Sequence, residues 1–333
     1  MYNVAKLNDK DRDAIFTRYV FENGNNKAII EKDFWVTLVL DYLFHKCAYR
    51  NYFIFKGGTS LSKCFNIIDR FSEDIDLILR WDILTDDNPD NERSNTQQDI
   101  YNKKINKLAV DFISCKLKPL MEEDFEMLLG RKIDIFVEEN NPQVLNFIYP
   151  RLYDDNDSGI LKYVRLEIGP LAALTPTEDV EISPMISSLN LQIFDNVKTV
   201  IKTVSPERTF WEKVLILHQE AYRPMEKRVL PRYSRHYYDV YKLSLSEYKE
   251  KAYSNLDLLT KVRNFKKKFY PVSWAKYDSA FPGQFKLLPN KDRIKELKED
   301  YDNMREMIND DSMSFDQLMV EIKRIEDEIN NLI

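Results

Sequence analysis

Glycine is scarce in this chain, seven residues in 333, against an average usage of about 7%. Cysteine and histidine are scarcer, three of each. Cys47, Cys64 and Cys115 are widely spaced and odd in number, and His45, His218 and His236 form no pattern with them. That excludes the paired spacing of a zinc site, and the cysteines read as ordinary reduced, buried thiols. No run of about 18 apolar residues is present to span a bilayer. The N-terminal stretch MYNVAKLNDKDRD mixes charges where a secretory signal needs an apolar segment, so a cytoplasmic protein with no membrane association is expected. Internal repeats and low-complexity tracts are also missing.

An excess of positive charge is missing too. The net charge of −6 argues against indiscriminate nucleic-acid binding, but its distribution is uneven. Residues 296–333 hold twelve acidic and four basic residues, which leaves the rest slightly positive. Two basic clusters stand out. One is Arg223, Lys227, Arg228, Arg232 and Arg235, opposed only by Glu226. The other is Lys261, Arg263, Lys266, Lys267 and Lys268, with no acid among them. Each is either a solvated helix face or a surface for a polyanion.

What is there is a long, 44% hydrophobic chain, enough for a substantial core and about two domains. Residues 9–48 read as helical, with an apolar segment from Phe34 to Leu40. Tyr52–Phe55 reads as a strand ending at Gly57-Gly58. From Ser60 the apolar positions Leu61, Cys64, Phe65 and Ile68 recur at helical spacing, and Ile75–Leu79 returns to a strand. Residues 82–95 form a polar loop, and Gln97 to about Leu129 a helix. Lys132–Val137, Val144–Tyr149 and Leu161–Ile168 alternate like strands that extend the first sheet. Ser205-Pro206 opens a helix, as cap and first helical residue, and the pattern stays helical to the C-terminus. The expected domains are therefore 1–204 and 205–333.

Two segments carry chemistry. An adjacent glycine pair in so glycine-poor a chain marks close backbone approach. Gly57-Gly58 between a strand and a helix, followed by Thr59-Ser60, suits a phosphate; a tight turn with Thr59 or Ser60 as N-cap is the plain alternative. In Arg70-Phe71-Ser72-Glu73-Asp74-Ile75-Asp76-Leu77, the residues Asp74 and Asp76 project from one strand face. Two carboxylates so close repel unless a cation lies between them, and oxygen ligands with open positions suit Mg²⁺ or Mn²⁺. Arg70 pairing with Asp74 would be the structural explanation. Glu167 shares a strand face with Tyr163 and Arg165, opposite the apolar Val164, Leu166 and Ile168, and is a candidate third carboxylate; Asp134 is its rival. Lys213 lies beside a strongly apolar helical stripe, where a buried ammonium needs an anion. Either Asp239 orients it, or Lys213 reaches water and Asp239 pairs with Arg235.

Read together, KGGTSLSK and RFSEDIDLIL resemble the nucleotidyltransferase superfamily, and GGTSLSKC with RFSEDIDL is similar to the AbiEii/AbiGii nucleotidyltransferase toxins of bacterial toxin–antitoxin and phage-abortive systems. The likeness continues more loosely through Arg165-Leu166-Glu167-Ile168, the segment Ser205–Lys213 and the segment Arg235–Tyr241. It implies an α+β fold, a mixed sheet with flanking helices followed by a mainly helical C-terminal domain that adds Lys213 and Asp239 to the catalytic cleft. It implies transfer of a nucleotide from a nucleoside triphosphate to an acceptor hydroxyl, with RNA, the 3′ end of tRNA, as acceptor, growth arrest as outcome and a separate antitoxin as partner. Asp74, Asp76, Glu167, Lys213 and Asp239 would be catalytic, the first three at the metal. Lys56, Gly57, Gly58, Thr59, Ser60, Lys63, Arg70 and Lys213 would hold the nucleotide. Arg228, Arg232, Arg235, Lys266, Lys267 and Lys268 would hold RNA. The competing readings are a small-molecule or protein hydroxyl as acceptor, and a non-catalytic module that binds a partner.

Overall fold

Strand periodicity decides the central layer. Along Val164–Gly169 the residues Val164, Leu166 and Ile168 are buried, while Arg165 and Glu167 are only half-buried, the period-2 signature of a strand with one apolar face. In the computed structural model, which describes residues 1–70, 72–153, 161–172, 174–194, 197–304, 308 and 313–332, seven strands form one sheet. They are β1 (Phe53–Lys56), β2 (Ile75–Leu79), β3 (Ile135–Glu138), β4 (Asn141–Phe147), β5 (Val164–Gly169), β6 (Thr177–Ile182) and β7 (Thr199–Val204), in the order β3-β4-β5-β2-β1-β7-β6. β1 runs antiparallel to β2, while β2 is parallel to β5 and β1 parallel to β7. β3, β4 and β5 form an antiparallel meander. The sheet is mixed and the fold is α+β, as expected.

The chain divides into two compact units, Met1–Cys64 with Ser72–Thr203, and Phe65–Phe71 with Val204–Ile333. In the first, the apolar sheet face is covered by the helices Lys27–Asp41, Asn95–Phe112 and Lys118–Leu129, which bring Phe34, Trp35, Leu38, Phe112 and Phe125 against Phe55, Leu77, Phe147 and Leu166. Each such fully buried side chain contributes roughly 1.5–3 kcal/mol. Caps set the helix starts: the Asn26 side chain accepts from the Ala28 N–H, and Ser94 and Gln97 form a reciprocal capping box.

In the second unit Ser205 and Pro206 open the helix Pro206–Ala221. It packs against the helices Arg235–Ser244, Tyr248–Tyr253 and Leu256–Phe269, and Phe315–Asn330 packs on Arg235–Ser244. The acidic segment has a structural use here. Asp300 accepts from the backbone N–H of Arg232 and of Ser234 and from the Ser234 hydroxyl, and Glu296 accepts from the Val229 N–H. Among the described residues no helix is long and apolar enough to cross a membrane.

Several expectations need correction. The helix after the glycine pair is Gly57–Lys63. It starts three residues earlier than expected and stops well before Ile68, because Asn66 has φ +51°, outside the helical range. β6 and β7 were not anticipated. Of the three cysteines only Cys47 is buried; Cys64 is half-buried and Cys115 exposed.

Candidate active site

The register of the sheet assembles the site of the first unit. Asp76 on β2 stands opposite Lys56 on β1 and opposite Glu167 on β5. Directly paired residues share a face, so Lys56, Asp76 and Glu167 form a row across three strands. Asp74 and Arg165 lie two residues away, at 4.0 Å from each other. This face is the polar one, and the apolar residues between them point into the core.

Gly57 sits against this row. Its φ is +85°, and a Cβ there would stand 1.9 Å from Asp76 Oδ2 and 2.7 Å from Asp76 Cγ. Only glycine lets the carboxylate lie across the backbone at the strand-to-helix junction. Thr59 and Ser60 are not N-caps: Lys56 occupies that position without a side-chain cap. Both hydroxyls are buried and used internally, Thr59 donating to the Ser72 hydroxyl at 2.9 Å and Ser60 to the Gly57 carbonyl at 2.9 Å. The first of these ties the short helix to the segment that leads into Asp74. Lys63 is committed elsewhere, in a half-buried ion pair with Asp33.

A divalent cation suits Asp74 and Asp76. Asp74 Oδ1 is buried and, among the described residues, has no hydrogen-bond partner, and a buried polar atom left so calls for an explanation such as a bound ion. The third carboxylate is differently engaged. Glu167 is ion-paired with Arg165, which also reaches Glu138 at 3.3 Å. Among the described residues no three His, Cys, Asp or Glu side chains come together to hold a metal. Asp134, the rival, is exposed and precedes β3.

The residue between Ser72 and Asp74 is an anchor that sequence reasoning missed. Glu73 is buried, 3.1 Å from the buried Lys32 ammonium, and accepts from the Leu161 N–H at 3.0 Å. Lys32 also donates to the carbonyls of Leu161 and Tyr163. This clamp fastens the entrance of β5 to the entrance of β2 and so fixes where Asp74 and Asp76 project. Burial pushes the Glu73 carboxyl up, an effect that Lys32 opposes. The available signal was the charged triplet Glu31-Lys32-Asp33 inside an otherwise apolar helix.

The second unit holds a buried cluster of its own. The fully buried Asp239 receives Lys213 Nζ at 2.7 Å, and the Arg70 guanidinium donates to both its oxygens at 2.7 and 2.8 Å. Arg70 therefore pairs with Asp239. Lys213 is oriented by Asp239 and does not reach out to water. Burial alone would raise the Asp239 pKa, but Arg70 and Lys213 hold it well below the usual carboxylate range. His236 is pushed well below its ordinary value by burial and then by Lys213 and Arg235, which keeps it neutral. Burial pushes the Lys213 ammonium down, an effect that Asp239 opposes, so the two basic groups are held on the carboxylate by charge.

The two basic clusters differ. Arg228, Arg232 and Arg235 are exposed on a segment whose backbone Asp300 fixes, whereas Arg223 is held by Glu220. Lys266, Lys267 and Lys268 end the helix Leu256–Phe269, where cations complement the helix dipole, and Lys267 is paired with Asp278.

Comparison with known proteins gives these geometries a context. No curated protein matches the chain. Among solved structures, MenT4, a nucleotidyltransferase toxin from Mycobacterium tuberculosis H37Rv, is similar with a TM-score of 0.41 and 13% identity, over 90% of this chain and 99% of that one. The family model "Nucleotidyl transferase AbiEii toxin, Type IV TA system" matches residues 40–321. That span includes the glycine pair, Asp74, Asp76, Glu167, Lys213 and Asp239, and the chain belongs to the AbiEii family of nucleotidyltransferase toxins of type IV toxin–antitoxin systems.

Proposed function

We propose that this toxin transfers a nucleoside monophosphate from a nucleoside triphosphate to a hydroxyl of RNA, at the 3′ end of tRNA, using Mg²⁺ held by Asp74 and Asp76. The observation that carries the reading is the carboxylate pair itself, one oxygen buried without a partner and the other side chain seated on Gly57. When bound, the metal supplies charge neutralisation at the phosphates and lowers the acceptor's pKa. Mn²⁺ fits the same oxygen donors.

The protein's own share is positioning. The backbone at Gly57–Ser60, with Lys56, is assigned to the triphosphate. Lys213, with Asp239 holding its ammonium, and Arg70 are assigned to the same substrate, as the family resemblance implies. Lys63 has a weaker case because Asp33 already neutralises it. The acceptor oxygen bonds to the α-phosphorus as the bond to the β-phosphate breaks and pyrophosphate departs. Glu167 is the additional carboxylate, as ligand or as base for the acceptor's proton.

For the RNA, the exposed Arg228, Arg232 and Arg235 make the stronger surface, and Lys266, Lys267 and Lys268 the weaker. The reaction is assigned to the cytoplasm, where triphosphates and RNA meet, and the toxin's antitoxin to a separate protein. The test incubates the protein with each α-phosphate-labelled triphosphate, Mg²⁺ and total cellular RNA. Label in the tRNA band supports the reading. Label in protein or in small molecules moves the acceptor to another class, and no label anywhere removes the proposal.

A further inference from the structure

Arg165 occupies a place that a metal-site carboxylate would be expected to keep clear. On β5 it stands two residues before Glu167 and shares its sheet face. Its guanidinium is ion-paired with Glu167, lies 3.3 Å from Glu138 on β3 and 4.0 Å from Asp74. It is only 19% exposed, whereas Glu167 and Glu138 are 42% and 39% exposed. One cation thus faces three carboxylates from three directions, which fixes it more tightly than a solvent-facing ion pair of the usual marginal value. A guanidinium bonded to Glu167 is also incompatible with a divalent cation on the same oxygen, because like charges at that separation repel.

We propose that Arg165 is the resident counter-cation of this edge: it holds Glu167 off the metal in the nucleotide-free protein, so the resting site has two carboxylate ligands, Asp74 and Asp76. The inference rests on the assignment of Asp74 and Asp76 to a metal. Arg165 acts through Glu167 and is a positioning residue. Its guanidinium can exchange carboxylates for phosphate oxygens, for which it has the same planar fork of donors. Arrival of an anionic substrate therefore releases Glu167, and the third carboxylate becomes available only when there is a triphosphate to act on.

The experiment measures Mn²⁺ binding to the full chain without nucleotide, from the EPR signal of free Mn²⁺. Arg165→Gln removes the charge and leaves a shorter, neutral polar side chain, and it should bind Mn²⁺ about tenfold or more tightly than wild type. Arg165→Lys should restore affinity to within about threefold of wild type. The double variant Arg165→Gln/Glu167→Gln should lose the gain, which a merely structural role for Arg165 would not predict. Equal or weaker binding by Arg165→Gln overturns the proposal, including the case in which neither it nor wild type binds Mn²⁺. Should Arg165→Gln fold poorly by circular dichroism, Glu167→Gln alone decides. Its Mn²⁺ affinity should stay within about threefold of wild type, because Glu167 is not yet a ligand, and a larger loss overturns the proposal. Failure of the underlying metal assignment looks different, since Asp74→Asn and Asp76→Asn would then bind Mn²⁺ like wild type whatever happens at Arg165.

Discussion

Replacing Gly57 by alanine tests how the strand-to-helix junction and the carboxylate pair depend on each other. The φ of +85° costs an L-residue about 1–3 kcal/mol. In the first unit of roughly 200 residues, that corresponds to a melting temperature lower by about 2–12 °C. The larger effect is local. The new Cβ would stand 1.9 Å from Asp76 Oδ2, less than any non-bonded contact allows, so the carboxylate must turn away from its place beside Asp74. Loss of one preorganised electrostatic contact in the transition state is worth about 10²–10³ in rate, and transfer should fall by at least that factor. Gly130→Ala is the control. Its φ of +69° imposes similar backbone strain, but nothing lies within 4 Å of the added Cβ. It should melt lower by a similar amount and retain full transfer. Single-turnover transfer and thermal melts on both variants separate the two terms. Full activity in Gly57→Ala would refute the claim that Asp76 must lie where Gly57 lets it lie.

Other outcomes follow from the same geometry. Asp239→Asn leaves the buried Arg70 and Lys213 without their shared carboxylate and should cost about 3–5 kcal/mol; a denaturation midpoint equal to wild type would show that the cluster is not held by charge. Burial pushes Glu31 from 4.5 up to about 7, against the Leu152 and Tyr153 N–H donors. Its contribution to stability is therefore fully present below pH 4.5 and is lost as pH rises through about 7, by about 3 kcal/mol at most. Glu31→Gln should flatten the pH dependence of stability across that window, and an unchanged slope contradicts the assignment. Joint replacement of Arg228, Arg232 and Arg235 by Gln should flatten the salt dependence of RNA binding by up to about 0.9 per lost contact on a duplex stem. Replacement of Lys266, Lys267 and Lys268 should have the smaller effect, and filter binding at several salt concentrations shows which loss is larger.

The contrast between what was legible in the sequence and what was not follows the range of the interactions. β2 is written in local periodicity and the helix opening at Ser205-Pro206 in the fixed φ of a proline at the first helical position, and the unit of strand, glycine turn, helix and strand around Asp74 is visible from the same periodicity. The family could be seen in two short blocks, GGTSLSKC and RFSEDIDL, where the close approach of Asp76 to Gly57 restricts the residue types that fit. β7, Thr199–Val204, has a readable alternation but pairs with β1 across 148 residues of chain, and nothing local announces its place. The early end of the helix at Lys63 depends on the conformation of Asn66, which several residues can adopt. Lys32, Glu73 and Arg70 are charged residues whose partners lie far along the chain, as do two of the three carboxylates around Arg165, and sequence spacing cannot distinguish such a clamp from a solvated face. The Arg70–Asp239 pair and the place of Arg165 among three carboxylates are properties of the folded chain alone.

The most direct measurement is nucleotide transfer by wild type and Asp76→Asn side by side, with Mg²⁺ or with a chelator, from an α-phosphate-labelled triphosphate mixture to total RNA. Wild type should label RNA only when Mg²⁺ is present, and Asp76→Asn, folded by circular dichroism and melting no lower than wild type, should label nothing. Transfer by Asp76→Asn at the wild-type rate, or transfer by wild type in the chelator, would contradict a metal site built on Asp74 and Asp76.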